Sequence, residues 1–286
     1  MSAGRPWRFD AIGTAWTIET EAPLAAPERA RVTALTDAFD REWSRFREDS
    51  TVRALAPHGG ACPAPPDAAA MLDLYREVSE ATHGAVNPLV GGSLERLGYD
   101  PAYSLSAGEP RPAPDWRGVL HWDGGVLRLD VPAVIDVGAL GKGRLLDLVL
   151  AELVAALPGG VVVDAGGDIA ARGMPQRVAL EHPYDPARAI GVVSLTDGAL
   201  CASAVNRRAW GGGLHHVLDA RTGVPVDAVA ATWAQAGTAM RADAAATALF
   251  FDGGPEVAHR WGVPWVRMLT DGRVQWSPGN EAELFV

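Results

Sequence analysis

An acid, a lysine and three glycines occur together in residues 135–147, where an apolar segment leads into a predicted helix. Asp136 follows the apolar segment, and Lys142 lies among the glycines. The free N–H groups and positive dipole end of a helix N-terminus favour a bound anion, and a lysine adds a point charge that suits phosphate. A plain strand–helix connection, with glycines for close packing and a solvated lysine, fits the same pattern. The residues of this segment leave both interpretations open.

A carboxylate and a hydroxyl lie one turn apart in a second predicted helix, residues 238–251. Asp243 and Thr247 have i,i+4 spacing and alanines between them, so their oxygens share one helix face. Oxygen ligands so placed could hold a hard cation such as Mg²⁺, which keeps several of its waters. The alternative is a buried helix in which Thr247 bonds back to a carbonyl and Asp243 pairs with Arg241. Spacing alone favours this alternative.

Two adjacent histidines, His215 and His216, precede Asp219 in a segment that reads as a strand breaking into a turn. Neighbouring residues of a strand point to opposite faces, so the two rings cannot both enter one site. One of them could face a pocket and serve in proton transfer, whereas a core or surface histidine is the ordinary alternative.

Composition places the chain among soluble globular proteins and excludes several functions. It has 286 residues, of which 48% are hydrophobic and 21% charged, with a net charge of −10. This charge argues against a general binder of nucleic acids or anionic membranes. Cys62 and Cys201 have neither metal-ligand spacing nor a disulfide framework. Residues 1–10 lack the apolar region of a signal peptide, and no run has membrane-spanning length. We therefore expect a cytoplasmic protein with no membrane segment, unless a longer precursor carries an export signal.

Hydrophobic periodicity predicts an α+β fold, with antiparallel sheets packed around buried helices. We expect one domain over residues 1–286, or two intimately packed lobes, with residues 100–115 as a peripheral loop. The predicted helices cover residues 27–43, 68–83, 141–157 and 238–251. The predicted strands cover residues 10–19, 119–122, 126–130, 161–169 with a Gly-Gly-Asp turn at the end, 177–181, 190–195, 198–203, 214–223 with a turn at the end, 230–237, and several within 263–286.

Six short motifs occur along the chain in a fixed order. They are Gly13-Thr14, Ser44-x-Phe46-Arg47-x-Asp49-Ser50, Asp136-x-Gly138-x-x-x-Lys142-Gly143, Gly166-Gly167-Asp168, His216-x-x-Asp219-x-Arg221-Thr222-Gly223 and Ala242-Asp243-x-x-x-Thr247-Ala248. Each is a weak signal alone, but their conjunction in this order is hard to obtain by chance. From about residue 10 to residue 252, the chain resembles the FAD:protein FMN transferase (ApbE) family. The resemblance implies an ApbE-like, T-fold-like architecture.

The resemblance also implies an activity. Members of this family bind FAD and Mg²⁺, split the pyrophosphate and move FMN onto a Thr or Ser hydroxyl of a target protein, with release of AMP. The implied acceptor carries a segment like Ser/Thr-Gly-Ala-Thr. Some members instead hydrolyse FAD to FMN and AMP. A flavoprotein that binds FAD without catalysis is a third hypothesis, from a different functional class.

Carried over residue by residue, the resemblance implies one shared site. The metal ligands would be Asp243, Thr247 and the main-chain carbonyl of Ala139. Asp243 and His216 are the two candidates for the general base, and the residues do not decide between them. The implied contacts to FAD are Ile12, Phe46, Asn87, Asp136, Lys142, Gly167, Asp168 and His216.

Five positions depart from the family pattern, two of which are Thr51, which follows Asp49-Ser50 where Glu is common, and Ala204, which makes Ser203-Ala204 of a frequent Ser-Gly. Asn87 stands where an acid is usual, which removes a charge from the implied FAD site. Ala139 replaces the second glycine of a common Gly-Gly, and Ala220 replaces the proline that usually precedes Arg-Thr-Gly. The metal-binding pair of the resemblance is intact, which indicates an active relative.

Overall fold

The computed structural model describes residues 6–285 and has the expected α+β composition within them. The strands are β1 (Trp7–Ala11), β2 (Thr14–Thr20), β3 (Gly60–Pro63), β4 (Leu120–His121), β5 (Val126–Leu129), β6 (Val161–Ala165), β7 (Ile169–Arg172), β8 (Gln176–His182), β9 (Asp185–Leu195), β10 (Gly198–Ala204), β11 (Ala209–Trp210), β12 (Leu214–His215), β13 (Leu218–Asp219), β14 (Val224–Pro225), β15 (Val229–Ala236), β16 (Trp265–Leu269), β17 (Val274–Trp276) and β18 (Glu283–Leu284). The helices are α1 (Ala26–Trp43), α2 (Thr51–Leu55), α3 (Ala68–Ala81), α4 (Gly91–Arg96), α5 (Gly141–Ala156), α6 (Ala239–Ala248) and α7 (Gly254–Arg260), with a 3₁₀ turn at Trp116–Gly118.

One eight-stranded sheet organises the fold. Its strand order is β1-β2-β6-β7-β10-β15-β16-β17, and every neighbouring pair is antiparallel. Smaller sheets are formed by β18-β9-β8, by β3-β5-β4 and by two short pairs of strands. The prediction of antiparallel sheets around buried helices is therefore confirmed.

The predicted first strand, residues 10–19, is wrong in its extent because the chain turns in its middle. Ile12 and Gly13 have φ values of 46° and 72° and connect β1 to β2 as a hairpin. A left-handed conformation is rare for a β-branched residue, so the sequence gives little sign of a turn at Ile12. Strain of this kind is concentrated at functional sites.

The long predicted helices are confirmed, whereas three short ones were missed. The helices α1, α3, α5 and α6 agree with their predicted ranges to within a few residues. No periodicity signalled α2, α4 and α7, since five to seven residues are too few to establish a helical repeat. Strand β3 lies in a stretch that the Pro/Gly content indicates as loop, and its four residues pair with β5.

The buried helices α5 and α6 pack antiparallel and cap each other. Asp147 of α5 accepts hydrogen bonds from the main-chain N–H groups of Ala239 and Met240 at the start of α6, at 2.6 and 2.9 Å. In return, Gly143 at the start of α5 donates its N–H to the carboxylate of Asp243, at 2.9 Å. A Cβ added to Gly143 would lie 2.3 Å from the carbonyl oxygen of Ala239, so only glycine permits this approach.

The loop over residues 100–115 is exposed for most of its length, as expected, but it is not merely peripheral. Main-chain bonds hold it at Gly108, which donates to the carbonyl of Arg96, and at Ala113. Tyr103 and Leu105 have positive φ values of 49° and 51° and line the main pocket. Across the described chain, no helix combines the length and apolarity that crossing a membrane requires.

Candidate active site

A cavity of about 850 Å³ opens where the β1–β2 turn, the end of α1, the turn before α5 and helix α6 meet. Its size suits a large cofactor. Nine of the eleven predicted site residues line it: Ile12, Phe46, Asn87, Asp136, Ala139, Lys142, His216, Asp243 and Thr247. Residues that lie up to 235 positions apart in the sequence thus share one cavity, and the other two predicted residues, Gly167 and Asp168, are not among its lining.

The three predicted metal ligands converge on one side of this cavity. The Oγ1 of Thr247 lies 3.2 Å from the carbonyl oxygen of Ala139 and donates to it. Asp243, one turn earlier in α6, uses Oδ2 to accept from the N–H of Gly143. No described group contains three His, Cys, Asp or Glu side chains arranged to hold a metal, so a cation here would also need carbonyl and hydroxyl oxygens.

This oxygen set fits Mg²⁺. Adjacent ligands of an octahedral Mg²⁺ are separated by about 2.9 Å, given bond lengths of roughly 2.0–2.1 Å. The 3.2 Å between Thr247 Oγ1 and Ala139 O is close to that value. Asp243 is only 2% exposed, and it would supply the negative charge that a buried dication needs.

Helix α3 fixes the Ala139 carbonyl through a buried tyrosine that the sequence analysis missed. The hydroxyl of Tyr75 donates to the carbonyl of Asp136 at 3.0 Å and accepts from the N–H of Ala139 at 3.1 Å. Burial raises the pKa of Tyr75, and the nearby charge of Asp136 raises it further. Tyr75 has the spacing of an ordinary core residue, so no sequence signal distinguishes its hydroxyl from a packing group.

A buried cluster of charges lies beside the metal-ligand candidates. Lys142 Nζ forms an ion pair with Asp168 Oδ2 at 2.7 Å. Burial lowers the pKa of Lys142, but the charges of Asp168 and Asp243 outweigh it and raise the pKa above its usual value. Burial, and then the like charge of Asp168, raises the pKa of Asp243 well above its usual range. Lys142 is therefore held as a cation beside Asp243. A second cation bound there would stabilise the ionised form of the Asp243 carboxylate.

Gly167 and Asp168 are not among the residues that line the cavity. Asp168 is fully buried behind Lys142, and its Oδ1 accepts from the N–H of Ala202 at 3.0 Å. Gly167 has a φ of 101° and donates its N–H to Asp164 in the β6–β7 turn. Direct contact with a ligand in the cavity was the prediction for both residues. Ligand contact stays a prediction for both; within the chain, Asp168 pairs with Lys142 and Gly167 bonds to Asp164.

The two histidines diverge as predicted for adjacent residues. His215 is buried, with Nε2 at 2.9 Å from the carbonyl of Val226 and Nδ1 accepting from the N–H of Val217. His216 lines the cavity, and its buried Nδ1 has no hydrogen-bond partner in the described chain. Burial, aided by the positive charge of Arg208, lowers the pKa of His216 to about 3. Its imidazole is therefore neutral at pH 7.

Asp136 is already paired within the protein. Its Oδ2 lies 2.6 Å from Nε of Arg45, and its Oδ1 accepts from the N–H of Gly138 at 2.7 Å. It lines the cavity, as predicted. These bonds hold the turn that presents the Ala139 carbonyl, so Asp136 shapes the site whether or not it also contacts a ligand.

Phe46 belongs to a group of rings that we call the aromatic wall: Phe46, Tyr99, Tyr103 and Trp210. Phe46 is stacked with Tyr103 at a centroid distance of 5.4 Å and is edge-on to Tyr99 at 5.3 Å. Tyr99 in turn is stacked with Trp210 at 5.5 Å. All four rings line the cavity and give one side of it an aromatic, apolar character that suits a planar ring system.

Two departures from the family pattern have a structural reason. The Nδ2 of Asn87 donates to the carbonyl of Pro114 at 2.9 Å, a bond that an ionised aspartate could not make. The N–H of Ala220 donates to the carbonyl of Ala85 at 3.0 Å, a bond that proline lacks. Both bonds tie neighbouring loops to the segment that lines the cavity around Asn87.

Known proteins resemble this chain over most of its length. Residues 12–262 match the ApbE family. A protein of Rhodobacter capsulatus named FAD:protein FMN transferase is 29% identical, and the alignment covers 96% of this chain and 57% of that relative. A protein of Treponema pallidum (strain Nichols) with the same name is 30% identical, over 72% of this chain and 66% of that relative. This chain therefore spans less than two thirds of the length of either relative.

Solved structures show the same fold. The flavin transferase ApbE from Vibrio cholerae superposes with a TM-score of 0.81 at 21% identity, covering 98% of this chain and 99% of that one. The ApbE protein from Thermotoga maritima gives 0.81 at 23% identity, covering 96% and 97%. The region matched to the family contains all nine predicted residues that line the cavity. This chain is a member of the ApbE family.

Proposed function

We propose that this protein is a Mg²⁺-dependent transferase that moves FMN from FAD to a Ser or Thr hydroxyl of an acceptor protein and releases AMP. The observation that carries the proposal is the convergence of three oxygen ligands and a buried lysine in one large cavity. Ala139, Thr247 and Asp243 supply the oxygens, and Lys142 lies beside Asp243. The names of the two curated relatives support the same activity.

Transfer of a phosphoryl-linked group depends mainly on charge neutralisation and in-line positioning. Lys142 is held as a cation by Asp168 and can contact a phosphate oxygen in the cavity. A bound Mg²⁺ would neutralise further charge on the pyrophosphate. The aromatic wall would hold a ring of the dinucleotide and thereby fix the direction of attack.

The acceptor hydroxyl must lose a proton as it attacks phosphorus. His216 has a neutral imidazole whose Nδ1 has no partner in the described chain, so it can accept a proton without first breaking a bond. Asp243 is occupied by Gly143 and, in this proposal, by the cation. We therefore assign the general base to His216, with its basicity raised when the anionic pyrophosphate binds nearby.

One assay separates the three candidate activities. The protein is incubated with FAD, Mg²⁺ and an acceptor that carries a Ser/Thr-Gly-Ala-Thr-like segment, and a matched acceptor has Val at the modified position. Covalent flavin fluorescence on the first acceptor alone supports transfer. Free FMN and AMP in equal amounts without acceptor would instead indicate a pyrophosphatase. Intact FAD after long incubation would exclude both enzymatic activities and leave an FAD-binding protein.

A further inference from the structure

Arg45 is a buried arginine of the cavity lining that none of the described mechanism uses. It occupies the position that the Ser44-x-Phe46 motif leaves unspecified. Its side chain is 2% exposed, yet it lines the cavity. A guanidinium is rarely buried without partners for its five N–H groups.

The partners of Arg45 satisfy only part of the guanidinium. Nε donates to Asp136 Oδ2 at 2.6 Å, and Nη1 donates to the carbonyl of Tyr99 at 2.8 Å, with Glu95 at 3.8 Å. The terminal nitrogen Nη2 is buried and has no hydrogen-bond partner in the described chain. An unpaired buried donor costs about 1–3 kcal/mol, and more when it is charged. An acceptor from a ligand in the cavity would satisfy this nitrogen.

The surroundings of Arg45 indicate what that acceptor is. Its guanidinium carbon lies 4.0 Å from the ring centroid of Phe46 and 4.9 Å from that of Tyr99, so it packs against two rings of the aromatic wall. A planar ring lying on this wall would bring its edge to the guanidinium. The isoalloxazine ring of a flavin carries two carbonyl oxygens on one edge, whereas adenine carries none. A carbonyl oxygen is the ordinary acceptor for a guanidinium N–H.

We propose that Arg45 is a specificity-determining residue that donates a hydrogen bond from Nη2 to a carbonyl oxygen of the flavin ring. Asp136 and the Tyr99 carbonyl bind Nε and Nη1 of the guanidinium, so that Nη2 remains available to the ligand. The inference rests on the proposed function in that it takes FAD as the substrate. It gives the aromatic wall to the flavin half of FAD and leaves the adenylate half elsewhere in the cavity.

The test compares binding of the two halves of the substrate. Riboflavin carries the flavin ring without phosphate charge, and ADP carries the adenylate half. Arg45→Lys keeps the positive charge and a bond to Asp136, but it lacks the second terminal nitrogen. Arg53→Lys is the matched control, because Arg53 also pairs with Glu95, at 2.6 Å, but is not among the cavity-lining residues.

We expect Arg45→Lys to weaken riboflavin binding at least tenfold, while ADP binding stays within twofold of wild type. Tenfold corresponds to about 1.4 kcal/mol. Arg53→Lys should leave both affinities within twofold. An unchanged riboflavin affinity in Arg45→Lys overturns the inference, as does an equal loss for ADP, which would show a structural role.

A second measurement needs no variant and covers the case in which Arg45→Lys does not fold. In 2-thioriboflavin and 4-thioriboflavin, sulfur replaces one or the other carbonyl oxygen and accepts hydrogen bonds less well. Wild-type protein should bind one of the two at least fivefold more weakly than riboflavin. Equal binding of all three flavins overturns the inference. Transfer of FMN from FAD by the wild type is measured separately. That measurement alone tests the proposed function, so a failure of the Arg45 inference does not affect it.

Discussion

The hydroxyl of Thr247 lies 3.2 Å from the main-chain carbonyl of Ala139 and donates a hydrogen bond to it, across 108 residues of sequence. This contact joins helix α6 to the turn that precedes α5. Both oxygens are candidate ligands of one cation, and the contact fixes their separation before any cation binds. A preorganised site of this kind binds a metal with little rearrangement.

Thr247→Val tests this contact, because valine keeps the shape of threonine and removes only the hydroxyl. We expect at least a tenfold loss of FMN transfer at limiting Mg²⁺ and a partial recovery at high Mg²⁺. Stability should fall by about 1 kcal/mol, as for one lost hydrogen bond. Turnover as a function of Mg²⁺ concentration is the measurement.

Thr232→Val is the matched control for that variant. Thr232 lies in β15, is buried and donates to the carbonyl of Ala246 in helix α6 at 2.7 Å. It is not among the cavity-lining residues. It should lose similar stability and keep the wild-type Mg²⁺ dependence. Equal Mg²⁺ dependence in the two variants would refute a ligand role for Thr247.

Asp168→Asn tests whether Asp168 maintains the charge of Lys142. Asparagine can still accept from the Ala202 N–H, but it no longer offsets the burial that lowers the pKa of Lys142. The pKa of Lys142 should fall, so the lysine loses its proton at a lower pH. The alkaline limb of the rate–pH profile should therefore move to lower pH. Asp164→Asn, in β6 beside the same turn, should leave that limb in place. An unmoved limb in Asp168→Asn would exclude this role.

Asn87→Asp restores the acid that the family pattern usually has, and we expect it to destabilise this chain. Asn87 is buried, and an ionised carboxylate could not donate to the Pro114 carbonyl. The expected loss is about 1–3 kcal/mol, measured by chemical denaturation at pH 7. Asn206→Asp is the control, since exposed Asn206 donates to the carbonyl of Pro183 in the same way and its change should cost at most about 0.5 kcal/mol. Equal effects would show that the bond to Pro114 is unimportant.

His216 should make the folded protein less stable in acid. Its pKa is about 3 in the folded state, against 6.5 when exposed. Between those values the unfolded chain binds more protons than the folded one, so the free energy of unfolding decreases as the pH falls from about 6.5 toward 3. His216→Gln should flatten the stability–pH profile in this window. A profile with the wild-type slope would show that His216 is not the buried neutral histidine described here.

Much of the fold could be predicted from the sequence because the long elements carry a clear period. The helices α1, α3, α5 and α6 have repeated apolar spacing over ten or more residues, which indicates a helix without knowledge of its neighbours. The β1–β2 turn could not be found in this way, since Ile12 adopts a left-handed conformation that is rare for a β-branched residue. The same holds for α2, α4 and α7, which are too short to show a period.

The site was predictable in its main residues only through the order of several motifs. The spacing of Asp243 and Thr247 alone favoured a structural explanation. Tyr75 and Arg45 were missed because a core tyrosine and a polar segment give no chemical signal in sequence. Asp168 was found but assigned direct contact, since its burial behind Lys142 depends on the packing of β7 against β10 and α5.

The most direct test of the proposed function is covalent FMN transfer by wild type and Asp243→Ala across a Mg²⁺ titration. Flavin fluorescence on the acceptor and released AMP are both recorded, and circular dichroism verifies the fold of the variant. Wild type should show transfer that saturates with Mg²⁺ and stops with a chelator. Asp243→Ala should remain folded and transfer no FMN at any Mg²⁺ concentration. Wild-type transfer rates in Asp243→Ala, or transfer that a chelator leaves unchanged, would contradict the metal-dependent mechanism.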